Sequence, residues 1–222
     1  MRAQQAIATT APEPSSRASS LALIGGALCL DFANTSSGRG TALRLEHLRQ
    51  WEHLLAWAEH VGMIDADGRR RLEVAVLADP SRGRAALGRA LSLREAIHAI
   101  FRSLALAEDP PAPAMGILNR NLSRAMAAAE IATDGGGFAW RWPEPWTSPG
   151  RLLWPIAYSA AQLLTSPELK RVKMCPGHGC GWLFIDRTRN GRRRWCEMEV
   201  CGSRNKMRRY HQRRRAAATG AC

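Results

Sequence analysis

Cys175, Cys180, Cys196 and Cys201 form two C-x4-C pairs separated by fifteen residues. Paired cysteines of this kind are a donor set for zinc, which takes four sulfur or imidazole ligands in a tetrahedron with Zn–S near ~2.3 Å. Pro176, Gly177 and Gly179 lie inside the first pair and permit a tight knuckle around one ion. Two disulfides or four ordinary buried cysteines are the competing readings, and the paired spacing and knuckle glycines rank them lower. His178 could ligate, but four cysteines already fill the tetrahedron. A catalytic zinc keeps an open position and a nearby acid or base. Glu197 and Glu199 are the only carboxylates near the second pair, and charge complementarity explains them as well. The expectation is one structural Zn²⁺ per chain. Cys29 lies in an apolar run and reads as buried, and Cys222 ends a Gly/Ala tail.

The second chemical feature is charge. The formal net charge is +13, and it is unevenly placed. Residues 170–215 hold 15 Lys/Arg against 3 Asp/Glu, whereas the preceding residues hold 17 against 16. Four thiolates around Zn²⁺ leave about two negative charges, far too few to balance this excess. Arginine dominates, and its planar fork suits phosphate oxygens and guanine edges. A solvated helix face is the bland alternative, and a membrane surface is a weaker one. Nucleic acid is the expected partner, DNA ahead of RNA. The candidate contacts are Arg192, Arg193, Arg194, Arg204, Lys206, Arg208, Arg209 and Arg213.

Local patterns suggest how these groups are held. In the cysteine segment, residues 182–185 read as a strand, Arg189-Asn190-Gly191 as a turn and residues 192–195 as the return strand. Residues 203–215 lack Pro and Gly and read as a helix that Ser203 can cap. Knuckle, hairpin and helix together are the layout of a treble-clef finger. Upstream, residues 28–32 alternate like a short strand. Helices are expected near 44–61, 69–78, 84–107 and 114–129, and another carrying Leu153, Ile156, Ala160 and Leu163, the clearest being 84–107 with its unbroken stripe from Ala86 to Ala107. Pro155 must sit in the first turn of its helix or kink it. Residues 130–142 read as a β-hairpin with a glycine turn.

The expected fold class is α+β. A mostly helical N-terminal domain with a small antiparallel sheet spans 21–166, and a zinc finger spans 167–215. A disordered arm covers 1–20 and a disordered tail 216–222. No run approaches the roughly 20 apolar residues that span a bilayer, and residues 1–20 lack the apolar core of a secretory signal. A cytoplasmic protein is expected.

The body shows no convincing nucleophile with a base, phosphate loop or carboxylate pair. His47, His53 and His60 share one predicted helix but are too widely spaced for one metal. Asp31, Asn34 and Arg94 are the candidates for a ligand pocket. Asp31 lines it, faces water or pairs with Arg94, and a structural ion pair is the preferred reading.

The cysteine segment resembles the CGNR zinc finger of bacterial proteins. The match rests on CPGHGCGWLFID at 175–186, Arg189-Asn190-Gly191, Arg194-Trp195-Cys196 and Cys201-Gly202-Ser203-Arg204. The naming motif has Asn where this chain has Ser203. The body is similar to the ABATE domain that precedes that finger, through GALCLDFANT at 26–35, LREA at 93–96 and the stretch from LWP at 153–155 through Leu163-Leu164. The resemblance implies a stress-induced transcription regulator that is not an enzyme. Its finger would bind DNA, and its body would sense a small-molecule effector or form a homodimer. An RNA-binding or ribosome-associated zinc protein is the alternative, and an enzyme or a pure protein-interaction module follows it.

Overall fold

The computed structural model describes residues 16–39, 41, 44–142 and 146–219, with side chains to Arg215. Most of the expected arm and the end of the expected tail lie outside these residues. The parts that lie inside are ordered. Ala18–Ser20 form a 3-10 turn with Ala18 buried, and Ser16 Oγ donates to the His47 carbonyl at 2.8 Å.

The body is built from α1 (Leu28–Ala33), β1 (Ser36–Ser37), β2 (Leu45–Glu46), α2 (Trp51–His60), α3 (Ala66–Ala78), α4 (Pro80–Ala105), α5 (Ala112–Ala127), β3 (Glu130–Asp134), β4 (Gly137–Arg141) and α6 (Leu153–Leu164). The finger adds β5 (Val172–Met174), β6 (Leu183–Ile185), a π-helical turn at Met198–Gly202 and α7 (Ser203–Thr219). Residues 216–219, expected in the tail, continue α7. No helix among the described residues is long and apolar enough to cross a membrane.

The central helix is α4. Asp79 caps it by accepting from Ser81 N at 3.0 Å, and Pro80 fills the first turn, where no amide partner is needed. Its stripe of Ala86, Ala90, Leu93, Ile97 and Ile100 is fully buried, and α1, α5 and α6 pack around it. The β3–β4 hairpin forms in the expected place, with Gly135 and Gly136 at φ +54 and +90, as its tight turn requires. Pro155 falls in the first turn of α6.

Three expectations are corrected. Residues 28–32 form a helix rather than a strand. A short apolar run suits either, and here α4, α6 and β6 pack against it, so Cys29, Leu30, Phe32 and Ala33 are all buried. The helix expected from residue 44 starts at Trp51. Glu46 Oε1 accepts from Leu48 N at 2.8 Å, a local bond that competes with helix, and residues 45–46 pair with β1. The return strand at 192–195 does not form. β6 pairs instead with β5, Val172 opposite Ile185 and Met174 opposite Leu183.

That pairing joins finger and body. Side chains alternate along a strand. In β6, Leu183 and Ile185 enter the body's core, whereas Phe184 joins Cys175, Cys196 and Cys201 in a second cluster. Asn34 clamps the strand, Nδ2 donating to the Leu183 carbonyl and Oδ1 accepting from Leu183 N, both at 2.9 Å. Ile185 N donates to the Gly25 carbonyl at 2.9 Å. The hydrophobic core therefore does not end at the boundary expected near 166. Replacing Asn34 by Ala leaves a buried N–H and C=O of Leu183 unpaired. We expect a loss of about 2–5 kcal/mol in urea unfolding. A loss below about 0.5 kcal/mol would contradict the clamp, since that is the scale of an inert surface change.

Candidate metal centre and its basic surface

The four cysteines converge from two places. Cys175 and Cys180 flank the knuckle between β5 and β6, and Cys201 lies in the π-helical turn that opens into α7. All four sulfurs lie within 4.8 Å of one another, with Cys180–Cys196 at 3.6 Å and Cys196–Cys201 at 3.5 Å. A tetrahedron with ~2.3 Å Zn–S bonds has sulfurs about 3.8 Å apart. None of the four is in a disulfide. A Cβ on Gly177 would stand 3.1 Å from Cys201 Sγ and 3.3 Å from Cys175 Sγ, so the knuckle needs glycine there. Mutual hydrogen bonding pulls the Cys175 thiol below its ordinary value and pushes Cys180 and Cys196 up; burial pushes Cys201 up. Four thiolates in this volume require a dication in place of their protons. The donor set fits one Zn²⁺ with no open position, a structural site.

The loop between the cysteine pairs winds around Asp186, a residue the sequence reading overlooked. Its buried carboxylate accepts from Lys173 Nζ at 2.6 Å, Arg193 N at 2.9 Å and Thr188 N at 3.0 Å. Lys173 and these donors hold it well below the usual carboxylate range. This network accounts for the missing return strand, because the amide of Arg193 is bound to a side chain.

The Arg193 side chain is engaged within the finger. Its guanidinium lies 4.4 Å from the Phe184 ring centroid and donates to the Cys196 carbonyl at 2.6 Å, steadying the second pair. Arg192 and Arg194 are exposed, the latter over the Trp195 ring. Trp182 and Trp195 pack on the cysteine cluster. Ser203 does not cap α7. It is the first helical residue, and its Oγ donates weakly to the Met198 carbonyl at 3.4 Å.

Arg204, Lys206, Arg208, Arg209 and Arg213 are all exposed on α7. At ~100° per residue they divide into two stripes. Arg204 and Arg208 share one face and line a cleft against the body. Lys206, Arg209 and Arg213 share the opposite face.

The expected Asp31–Arg94 pair is absent. The Arg94 fork is bidentate on Glu46 at 2.5 and 2.6 Å, and its Nε donates to Glu95 at 3.0 Å. Helical residue 31 points elsewhere, and Oδ1 accepts from Gly25 N at 2.8 Å. Asn34 is engaged with Leu183. The polar groups named for a pocket thus bind the chain itself, and none of the three lines the cleft that Arg204 and Arg208 form against the body.

Burial raises Asp31 from 3.8 to about 6. The folded state then retains a proton that the unfolded chain has released, so stability falls as pH rises between these values and stays lower above them. Asp31→Asn keeps the acceptor and removes the charge. We expect it to stabilise the chain by about 1–2 kcal/mol at neutral pH, with a smaller gain at pH about 5, in urea midpoints. An equal gain at both pH values would contradict the titration.

A knuckle on a β-hairpin, closed by a cysteine pair at the root of a helix, defines a treble-clef-like zinc finger carried on a mostly helical body. Residues 26–167 match ABATE, described as "Putative stress-induced transcription regulator", and residues 171–214 match the CGNR zinc finger. The chain belongs to the ABATE family and ends in a CGNR finger. No curated protein matches it significantly.

Proposed function

We propose that this chain is a DNA-binding transcription regulator. In this reading α7 grips the phosphate backbone and the helical body governs how α7 is presented. The observation that carries this is the outward stripe of Lys206, Arg209 and Arg213, on a helix rooted at Cys201. A helix of about 10–12 Å diameter fits the major groove, with phosphates on both flanks. The family description supports the same reading. The body has the apolar surface for a homodimer in Ile131 and Phe138 of the β3–β4 hairpin, 62% and 80% exposed.

The test is binding of the zinc-loaded full chain to duplex DNA and to structured and single-stranded RNA, across a salt series. We expect tighter binding to the duplex DNA and a steep fall in affinity with salt. Preference for RNA would support the ribosome-associated alternative. Salt-independent or undetectable binding to both would leave α7 as a protein-interaction element.

A further inference from the structure

A cleft of about 450 Å³ runs along the seam between finger and body. The knuckle, Val200, Arg204 and Arg208 form one wall, and Arg17, Ser37, Leu45 and His47 form the other. Arg17, Arg204 and Arg208 line it from two distant parts of the chain, together with Glu197 and with Cys180, Cys196 and Cys201, whose zinc–thiolate centre would carry about two negative charges. Ala22, Leu45, Val200 and Trp182 add apolar surface to its walls. The Trp182 indole N–H is buried without a partner among the described residues. His47 is 4% exposed, and its Nε2 lies 3.2 Å from Ser37 Oγ. A cavity of this size, mostly apolar with a few convergent polar groups, has the character of a small-molecule site.

We propose that this cleft binds a small organic anion, an apolar body with a carboxylate, sulfonate or phosphate head, held by Arg17, Arg204 and Arg208. A bound anion links Arg17 on the body to Arg208 one turn along α7. It therefore sets the angle at which the helix leaves the finger, while the opposite stripe stays free of it. Arg204 and Arg208 then serve the effector, whereas Lys206, Arg209 and Arg213 serve the nucleic acid. The regulatory consequence rests on the regulator reading, but the occupancy itself does not.

The test needs no DNA, so its failure is distinct from failure of that reading. Full-length zinc-loaded protein is titrated with 1-anilinonaphthalene-8-sulfonate, an aromatic sulfonate whose fluorescence reports an apolar site. We expect one saturable site. The double variant Arg17→Ala/Arg208→Ala should weaken it about tenfold or more, the scale of a lost charge-assisted contact. Arg209→Ala/Arg213→Ala, equal in charge removed, should leave it within about twofold. Benzoate should displace the dye, benzamide should not, and inorganic phosphate should act only at far higher concentration. Equal loss in both double variants would overturn the site in favour of diffuse charge. Displacement by benzamide, or by phosphate as readily as benzoate, would overturn the organic-anion assignment. Loss of the dye signal in Phe138→Ser would place the dye on the hairpin and overturn the site.

Discussion

Removing the zinc is expected to lower the stability of the whole chain, not only to loosen its end. Metal binding supplies about 10–16 kcal/mol to small zinc modules, comparable to or greater than the total stability of an ordinary domain. Here the strand next to the knuckle is shared. Phe184 packs with the cysteines, while Leu183 and Ile185 on the same strand belong to the core of Leu30, Leu93 and Ile97. The His98 ring adds a contact at 2.9 Å to the Gly181 carbonyl. Loss of the ion frees the knuckle, and the knuckle ends in β6. We expect chelation, or Cys201→Ala, to give one cooperative thermal transition at least about 10 °C lower than that of the zinc-loaded chain. A body that melts at its original temperature after the finger has unfolded would show two independent units.

The second large effect concerns the two stripes of α7. Each phosphate neutralised on duplex DNA contributes about −0.9 to the slope of log K against log salt. With Arg192 and Arg194 exposed on the loop and the outer stripe on α7, the full chain should make roughly four to six contacts, a slope near −4 to −5. Replacing Lys206, Arg209 and Arg213 together by Ala should flatten the slope by about 2.7 and weaken binding about a hundredfold or more at moderate salt. The loss should be similar on every duplex, because phosphate contacts carry no sequence information. Replacing Arg204 and Arg208 should change the slope by less than about one contact. If the two sets of variants lose slope in proportion to charge alone, the helix has no preferred face.

Much of this was legible in the sequence. The four ligands could be read from spacing, since local chain geometry brings each pair together. The α4 helix could be read from an unbroken stripe, and the β3–β4 hairpin from its glycines. What could not be read depends on partners distant in sequence. Whether residues 28–32 wind or extend is decided by α4, α6 and β6 around them. The partner of β6 was misassigned because Asn190-Gly191 does make a turn, with Gly191 at φ +62, while Asp186 then claims the amide of Arg193. Arg94 is paired, but the acid that meets it is Glu46 rather than Asp31, reached only because β2 interrupts the helical pattern. The finger–body seam left no local trace, since Asn34 and Leu183 are 149 residues apart.

That separation has a bearing on how the chain is made. Residues 24–34 leave the ribosome well before their hydrogen-bonding partner strand, which emerges only after the first cysteine pair. Helices such as α4 and α5 form from local contacts and need not wait. The closing of the core must wait until β6 is available, because the long loop has to be drawn in before its contacts compensate. Synthesis that stops before residue 185 would therefore yield a helical but open intermediate with Leu30 and Leu93 uncovered, the kind of species that chaperones hold and proteases clear. Completion of the finger thus acts as a check on the integrity of the body, so that any chain able to present α7 to a partner has already supplied the strand that closes the core.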